Sequence, residues 1–151
     1  MTSSIKEHIG VVFDDLRIPN KLTLQSIDKV FTHIYETWNS QTLFSLIKEF
    51  ELPSINEIKT FSREMRMKAA LSIALSHDSK LLILDEATAG MDASGREQVM
   101  EILEDYVGED RAILISSHIS DDIEQLATQL LFMRDGKTVS YTHLTLPTNR
   151  E

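Results

Sequence analysis

The chain has 151 residues, 42% of them hydrophobic, which suffices for one compact domain with a core and falls short of two. Its 24 acidic against 15 basic residues give a formal net charge of -9, which argues against a nucleic-acid-binding face built on clustered Lys and Arg. Cysteine is absent, so neither disulfides nor thiolate metal sites can form, and no window approaches the roughly 18 uninterrupted apolar residues of a membrane-spanning helix.

The segment Ile9 to Phe13 is apolar and rich in β-branched residues and predicts a strand, ended by Asp14 and Asp15. From Leu24 to Trp38 the residues Leu24, Ile27, Val30, Phe31 and Ile34 recur at helical spacing, and Thr42 to Phe50 repeats the pattern, so two helices are predicted. Pro53 and the polar stretch 54–59 interrupt the periodicity, and Ser62 is a candidate N-cap for a helix reaching about Ser76. Lys80 to Asp85 is a short apolar run that fits a strand buried on both faces, the kind parallel sheets contain. Ser94 to Val107 sets Val99, Ile102, Leu103 and Tyr106 on one helical face, with Gly108 as a stop, and Ala112 to Ile115 reads as a second buried strand. Ser120 to Ala127 predicts a helix opening on Asp121 and Asp122, whose charges suit a helix N-terminus. Leu130 to Met133, the turn Asp135-Gly136, and Lys137 to Ser140 predict a hairpin. Strand alternates with helix from Lys80 onward, which indicates an α/β fold: a parallel sheet flanked by helices, with Leu24 to Phe50 forming an all-helical subdomain.

Asp85 and Glu86 stand at the carboxyl end of a predicted buried strand, where α/β sheets place their ligands. One carboxylate there can hold Mg²⁺ while its neighbour orients or deprotonates a water for phosphate-ester hydrolysis. The same pair could equally do no more than solvate a strand end. The next strand ends in Ser116-Ser117-His118, so a histidine able to hydrogen-bond a phosphate oxygen emerges at the same edge of the sheet. Ser62 offers a hydroxyl and free backbone N–H groups at a helix start, suited to an anion or simply to capping.

Phe61-Ser62-Arg63-Glu64-Met65, then Leu81 to Glu86, then Ala87-Thr88-Ala89-Gly90-Met91-Asp92, then Ser116-Ser117-His118 resemble, in order and spacing, the signature, Walker B, D-loop and switch-histidine motifs of ABC ATPases. The resemblance covers about Ile9 to Lys137 and implies a partial P-loop NTPase fold over residues 1–139. Within it, 16–79 would be the helical subdomain including the signature helix, and 80–139 the part of the core from Walker B to the switch histidine. It implies ATP and Mg²⁺ as ligands. Asp85 would be the metal-supporting carboxylate, Glu86 the water-polarising base and His118 the γ-phosphate sensor. Asp92 would link two paired domains, and Ser62 would contact a nucleotide held by the opposite domain. The implied partners are a second nucleotide-binding domain and a membrane permease on which Leu24 to Phe50 docks, with no nucleic acid. The implied place is cytoplasmic, peripheral to the membrane through the permease.

The sequence departs from the family pattern at three places. Asp14, in the stretch Gly10 to Asp15 that resembles the Q-loop, stands where many members carry glutamine. Arg63 and Glu64 replace two glycines of the signature, and Glu64 would bring negative charge towards a bound γ-phosphate unless it turns away. No G-x-x-x-x-G-K-[ST] loop occurs, so the phosphate cradle is expected to lie upstream of Met1. The tail 140–151 resembles a translated sequencing adapter and is expected to be foreign to the protein. The expected function is therefore the ATP-hydrolysing subunit of a transporter, missing its phosphate-binding loop and inactive alone, with an uncovered sheet that invites aggregation. A non-transport ABC ATPase and a non-catalytic interaction module are the alternatives.

Overall fold

The computed structural model describes residues 3–143. Its elements are, in order, α1 (Ser3–Glu7), β1 (Ile9–Val12), α2 (Leu24–Phe31), α3 (Ser40–Glu49), a 3₁₀ turn (Ile58–Thr60), α4 (Arg63–Ala74), β2 (Leu81–Asp85), α5 (Ala93–Tyr106), β3 (Ala112–Ser116), α6 (Ser120–Leu126), β4 (Gln129–Arg134) and β5 (Lys137–His143).

Strands β1, β2 and β3 form a parallel sheet in that order, in the register Val11↔Ile83↔Leu114 and Val12↔Leu84↔Ile115. β2 is the central strand, paired on both edges, and it carries the LLILD run. The expectation that it is buried on both faces is corrected. Leu82 and Leu84 are 0% and 1% exposed, whereas Leu81 and Ile83 on the other face are half-buried and Leu114 beside Ile83 is exposed. The cause is one-sided cover: among the described residues the core lies only on the Leu82–Leu84 side, where α4 and α5 contribute Met67, Leu71, Val99 and Leu103. Each such fully buried aliphatic side chain contributes roughly 1.5–3 kcal/mol of transfer free energy.

Between β1 and β2 the chain is helical, as its spacing predicts, and Leu24, Ile27, Leu43, Ile58 and Met67 continue the same core. The first of these helices is shorter than expected, ending at Phe31 rather than Trp38. Past Thr32 the hydrogen bonds tighten to i→i−3 at His33 and Ile34, and the Thr32 hydroxyl bonds back to the Asp28 carbonyl. Phe31, Tyr35 and Trp38 then pack as an aromatic cluster, and the Trp38 indole N–H donates to Asp28 Oδ1 at 2.8 Å. The apolar spacing thus persists through turns because those rings are needed in the core, not because the helix continues.

α5 ends at Tyr106, before Gly108, with its cap residue Val107 in extended backbone. The hairpin forms as expected: Asp135 and Gly136 both take positive φ, 51° and 72°, which matches the twist of the antiparallel pair β4–β5. Pairing runs to His143, opposite Gln129, and so enters the segment read as foreign. A ladder needs only backbone donors and acceptors, so it carries no information on the origin of that segment. Residues 144–151 of that tail lie outside the described residues. No helix among the described residues is long and apolar enough to cross a membrane.

Candidate functional site

β2 and β3 run side by side and end in register at Asp85 and Ser116. Parallel pairing therefore delivers two loops to one sheet edge, Glu86 to Asp92 from β2 and Ser117 to Ile119 from β3. At the base of these loops the Ser116 hydroxyl donates to Asp85 Oδ1 at 2.6 Å, and the Glu86 N–H donates to the Ser116 carbonyl at 3.0 Å. Glu86 adopts φ 53°, a left-handed conformation that side-chain-bearing residues rarely take. That turn directs its carboxylate at His118, whose Nδ1 lies 2.6 Å from Glu86 Oε2. A carboxylate only accepts, so Nδ1 carries the proton in this pair and Nε2 is left for another partner. The His118 side chain is 72% exposed and that of Glu86 33%, so both remain reachable from solvent.

The loop after β2 leads to Asp92, which caps α5 by accepting from the Gly95 N–H at 2.7 Å. Ser62 caps α4 in the same manner, its hydroxyl accepting from the Met65 N–H at 3.2 Å. Arg63, exposed, extends past Gly90, so the start of α4 lies against the loop that follows Glu86. Glu64 turns away from that exposed end. Its carboxylate packs directly on Gly95, where a Cβ would stand 3.0 Å from Glu64 Cδ, and pairs with Lys68 at 2.8 Å. Lys68 in turn lies over the Phe50 ring, 5.6 Å from its centroid.

Asp14 is exposed in the loop after β1, in a separate open cleft that it shares with Asp15, Arg17, Asn20, Arg63 and Arg66. Arg66 braces that cleft, donating to Asn20 Oδ1 at 3.0 Å and lying 3.6 Å from Asp15. The structure thus brings Asp85, Glu86 and His118 together, joins Asp14 with Arg63, and sets Glu64 beside the cap formed by Asp92. Three residues absent from the sequence-level site complete the geometry. The Thr88 hydroxyl donates to the buried Asp122, and Arg96 Nε lies 3.5 Å from the other Asp122 oxygen. The only signal for Asp122 is its place in the first turn of α6. That suggests an exposed charge at a helix start, which fits Asp121 and not the buried Asp122.

As to ligands, Asp85 is exposed at a strand end and offers a hard carboxylate oxygen, the kind of donor that Mg²⁺ takes together with substrate phosphates and water.

Residues 1–89 match the family model described as ABC transporter. The lantibiotic transport ATP-binding protein SrtF of Streptococcus pyogenes is 33% identical over 133 residues, which is 87% of this chain and 58% of that protein. The ABC transporter ATP-binding protein YtrB of Bacillus subtilis is 26% identical over 147 residues, 93% of this chain and 50% of its own length. This chain therefore spans half to three-fifths of these relatives. Among solved structures, an ATP-binding subunit of an ABC transporter superposes with a TM-score of 0.86 at 20% identity, over 95% of this chain and 62% of that one. A dimeric, post-hydrolysis ATP-binding cassette, MJ0796 bound to ADP and Pi, gives 0.81 at 18% identity, over 95% and 66%. At such identities the superpositions establish the fold.

Proposed function

Since the chain belongs to the ABC transporter family, we propose that it carries the hydrolytic and signature residues of an ATP-binding subunit that drives a separate membrane permease. The observation that carries this reading is the Glu86–His118 contact of 2.6 Å beside Asp85, at the ends of two adjacent parallel strands. Glu86 is the base that orients and polarises the attacking water. Its partner His118 leaves Nε2 unengaged, and with both ring nitrogens protonated that Nε2–H donates to a γ-phosphate oxygen; Asp85 would hold Mg²⁺, which would neutralise developing phosphate charge. Catalysis on this reading comes from positioning and electrostatics, with no covalent intermediate.

Ser62 and Arg63 serve a nucleotide held by a second nucleotide-binding domain, and Asp92 meets that domain. Glu64, paired with Lys68, brings no free negative charge to the phosphate, so the altered signature remains usable. Asp14 takes the place of the usual amide in contact with metal or water. Residues 16–79 act as the helical subdomain, which docks on the permease through Leu24 to Phe50. No G-x-x-x-x-G-K-[ST] loop occurs in these 151 residues, and on this reading hydrolysis requires one.

Reading the source DNA across both ends of the frame tests the last point. An in-frame G-x-x-x-x-G-K-[ST] loop upstream supports the proposal. An unchanged frame favours a non-catalytic module instead. Co-purification of the complete subunit with a membrane permease then separates transport from a non-transport ATPase, which would come away without one.

A further inference from the structure

Thr88 and Asp122 are each 2% exposed, and the Thr88 hydroxyl donates to Asp122 Oδ2. A buried carboxylate is costly unless each oxygen finds a partner; here the second oxygen lies 3.5 Å from Arg96 Nε on α5. None of the three takes part in the chemistry proposed above, but their placement relates to it. Thr88 stands two residues after Glu86, and Asp122 stands four residues after His118. The two loops are already tied at their base through Ser116. Further out, the Thr88–Asp122 bond ties the first loop to the first turn of α6, which continues directly from the second loop, and along the chain the Glu86–His118 contact lies between the two ties. A solvent-exposed pair such as Glu86–His118 adds little stability and cannot hold its own loops in place.

We infer that Asp122 is a positioning residue: through Thr88 it holds the loop carrying Glu86 against the loop carrying His118, and Arg96 stabilises its buried charge. The inference rests on the proposed roles of Glu86 and His118, and it concerns their geometry rather than turnover.

The test is therefore a reading of geometry. Long-range ¹H–¹⁵N correlation spectra of the full chain, recorded where the imidazole is neutral, report which ring nitrogen of His118 carries the proton; the signal is assigned by its loss in His118→Gln. The wild-type chain gives the Nδ1-protonated form that the Glu86 contact requires. Thr88→Val, which removes one hydroxyl at nearly constant shape, shifts the signal towards the Nε2-protonated form, and Thr88→Ser restores it. Arg96→Gln shifts it the same way by a smaller amount and serves if Thr88→Val does not fold. Val99→Ala, a core truncation on α5 with a comparable loss of thermal stability, leaves the signal unchanged. The inference is overturned if Thr88→Val keeps the Nδ1 form, or if Val99→Ala loses it to the same degree. An inactive assembly that retains the Nδ1 form would instead count against the hydrolytic reading and leave the clamp standing.

Discussion

Glu64 shows how much of a site can be reversed by the direction of one side chain. By position it threatens a bound phosphate; by conformation it packs on Gly95 and pairs with Lys68. Gly95 lies in the first turn of α5, where alanine ordinarily stabilises a helix by about 0.5–1 kcal/mol relative to glycine. Here a Cβ would meet the Glu64 carboxylate. Gly95→Ala is therefore expected to lower the melting temperature by a few degrees, at roughly 2–4 °C per kcal/mol for a chain of this size, and to lower it less in a Glu64→Ala background, where only the 3.2 Å approach to the capping Asp92 Oδ1 remains. Thermal melts of the four chains of this cycle check the difference. Asp85, Glu86 and His118 are legible in the sequence because each is a polar residue closing an apolar run. The left-handed backbone of Glu86 and the inward turn of Asp122 are not, since both depend on contacts between loops more than thirty residues apart.

Among the elements, helices and strands follow from periodicity and caps, as at Ser62, whose hydroxyl accepts from the N–H three residues on. The end of α2 does not, because the aromatic cluster keeps helical spacing beyond the last helical turn. Tyr35 of that cluster stacks on His77 at 4.5 Å, and His77 Nε2 lies 3.3 Å from the Ile9 carbonyl, joining the connection after α4 to β1. Burial lowers the His77 pKa below its ordinary value of 6.5, against the opposing pull of the Ile9 carbonyl and of Glu7. In the unfolded chain His77 returns to that ordinary value, so the unfolded state takes up the proton first as the solution is acidified. Its contribution is fully present above about pH 6.5 and is lost as pH falls through the depressed folded value. Melting temperatures of the wild type should consequently drop more steeply below about pH 6.5 than those of His77→Gln. Parallel slopes would assign the acid sensitivity to other groups.

At the scale of the whole molecule, the parallel sheet is legible from two apolar runs separated by a helix, and an uncovered apolar face is expected of it, but which face lies open is not legible, since the runs themselves are apolar on both faces. Val11 and Leu114, 41% and 59% exposed, flank Ile83 in one row across the open face. An uncovered apolar row on a sheet with two edges favours association between copies. The chain is expected to self-associate at micromolar concentration, and Leu114→Lys to shift it towards monomer in size-exclusion chromatography with light scattering. A wild-type chain that stays monomeric and melts sharply would contradict that expectation.

The central claim, that this chain supplies the hydrolytic carboxylate of an ATP-binding subunit, is tested most directly by steady-state ATP hydrolysis of the complete subunit with Glu86 and with Glu86→Gln, ATP binding being measured on the same preparations. Loss of a general base ordinarily costs about 10²–10⁴ in rate, so turnover should fall at least about 100-fold while ATP is still bound. A Gln variant that hydrolyses ATP within a few-fold of the wild-type rate would contradict the role assigned to Glu86 and to the site built around it.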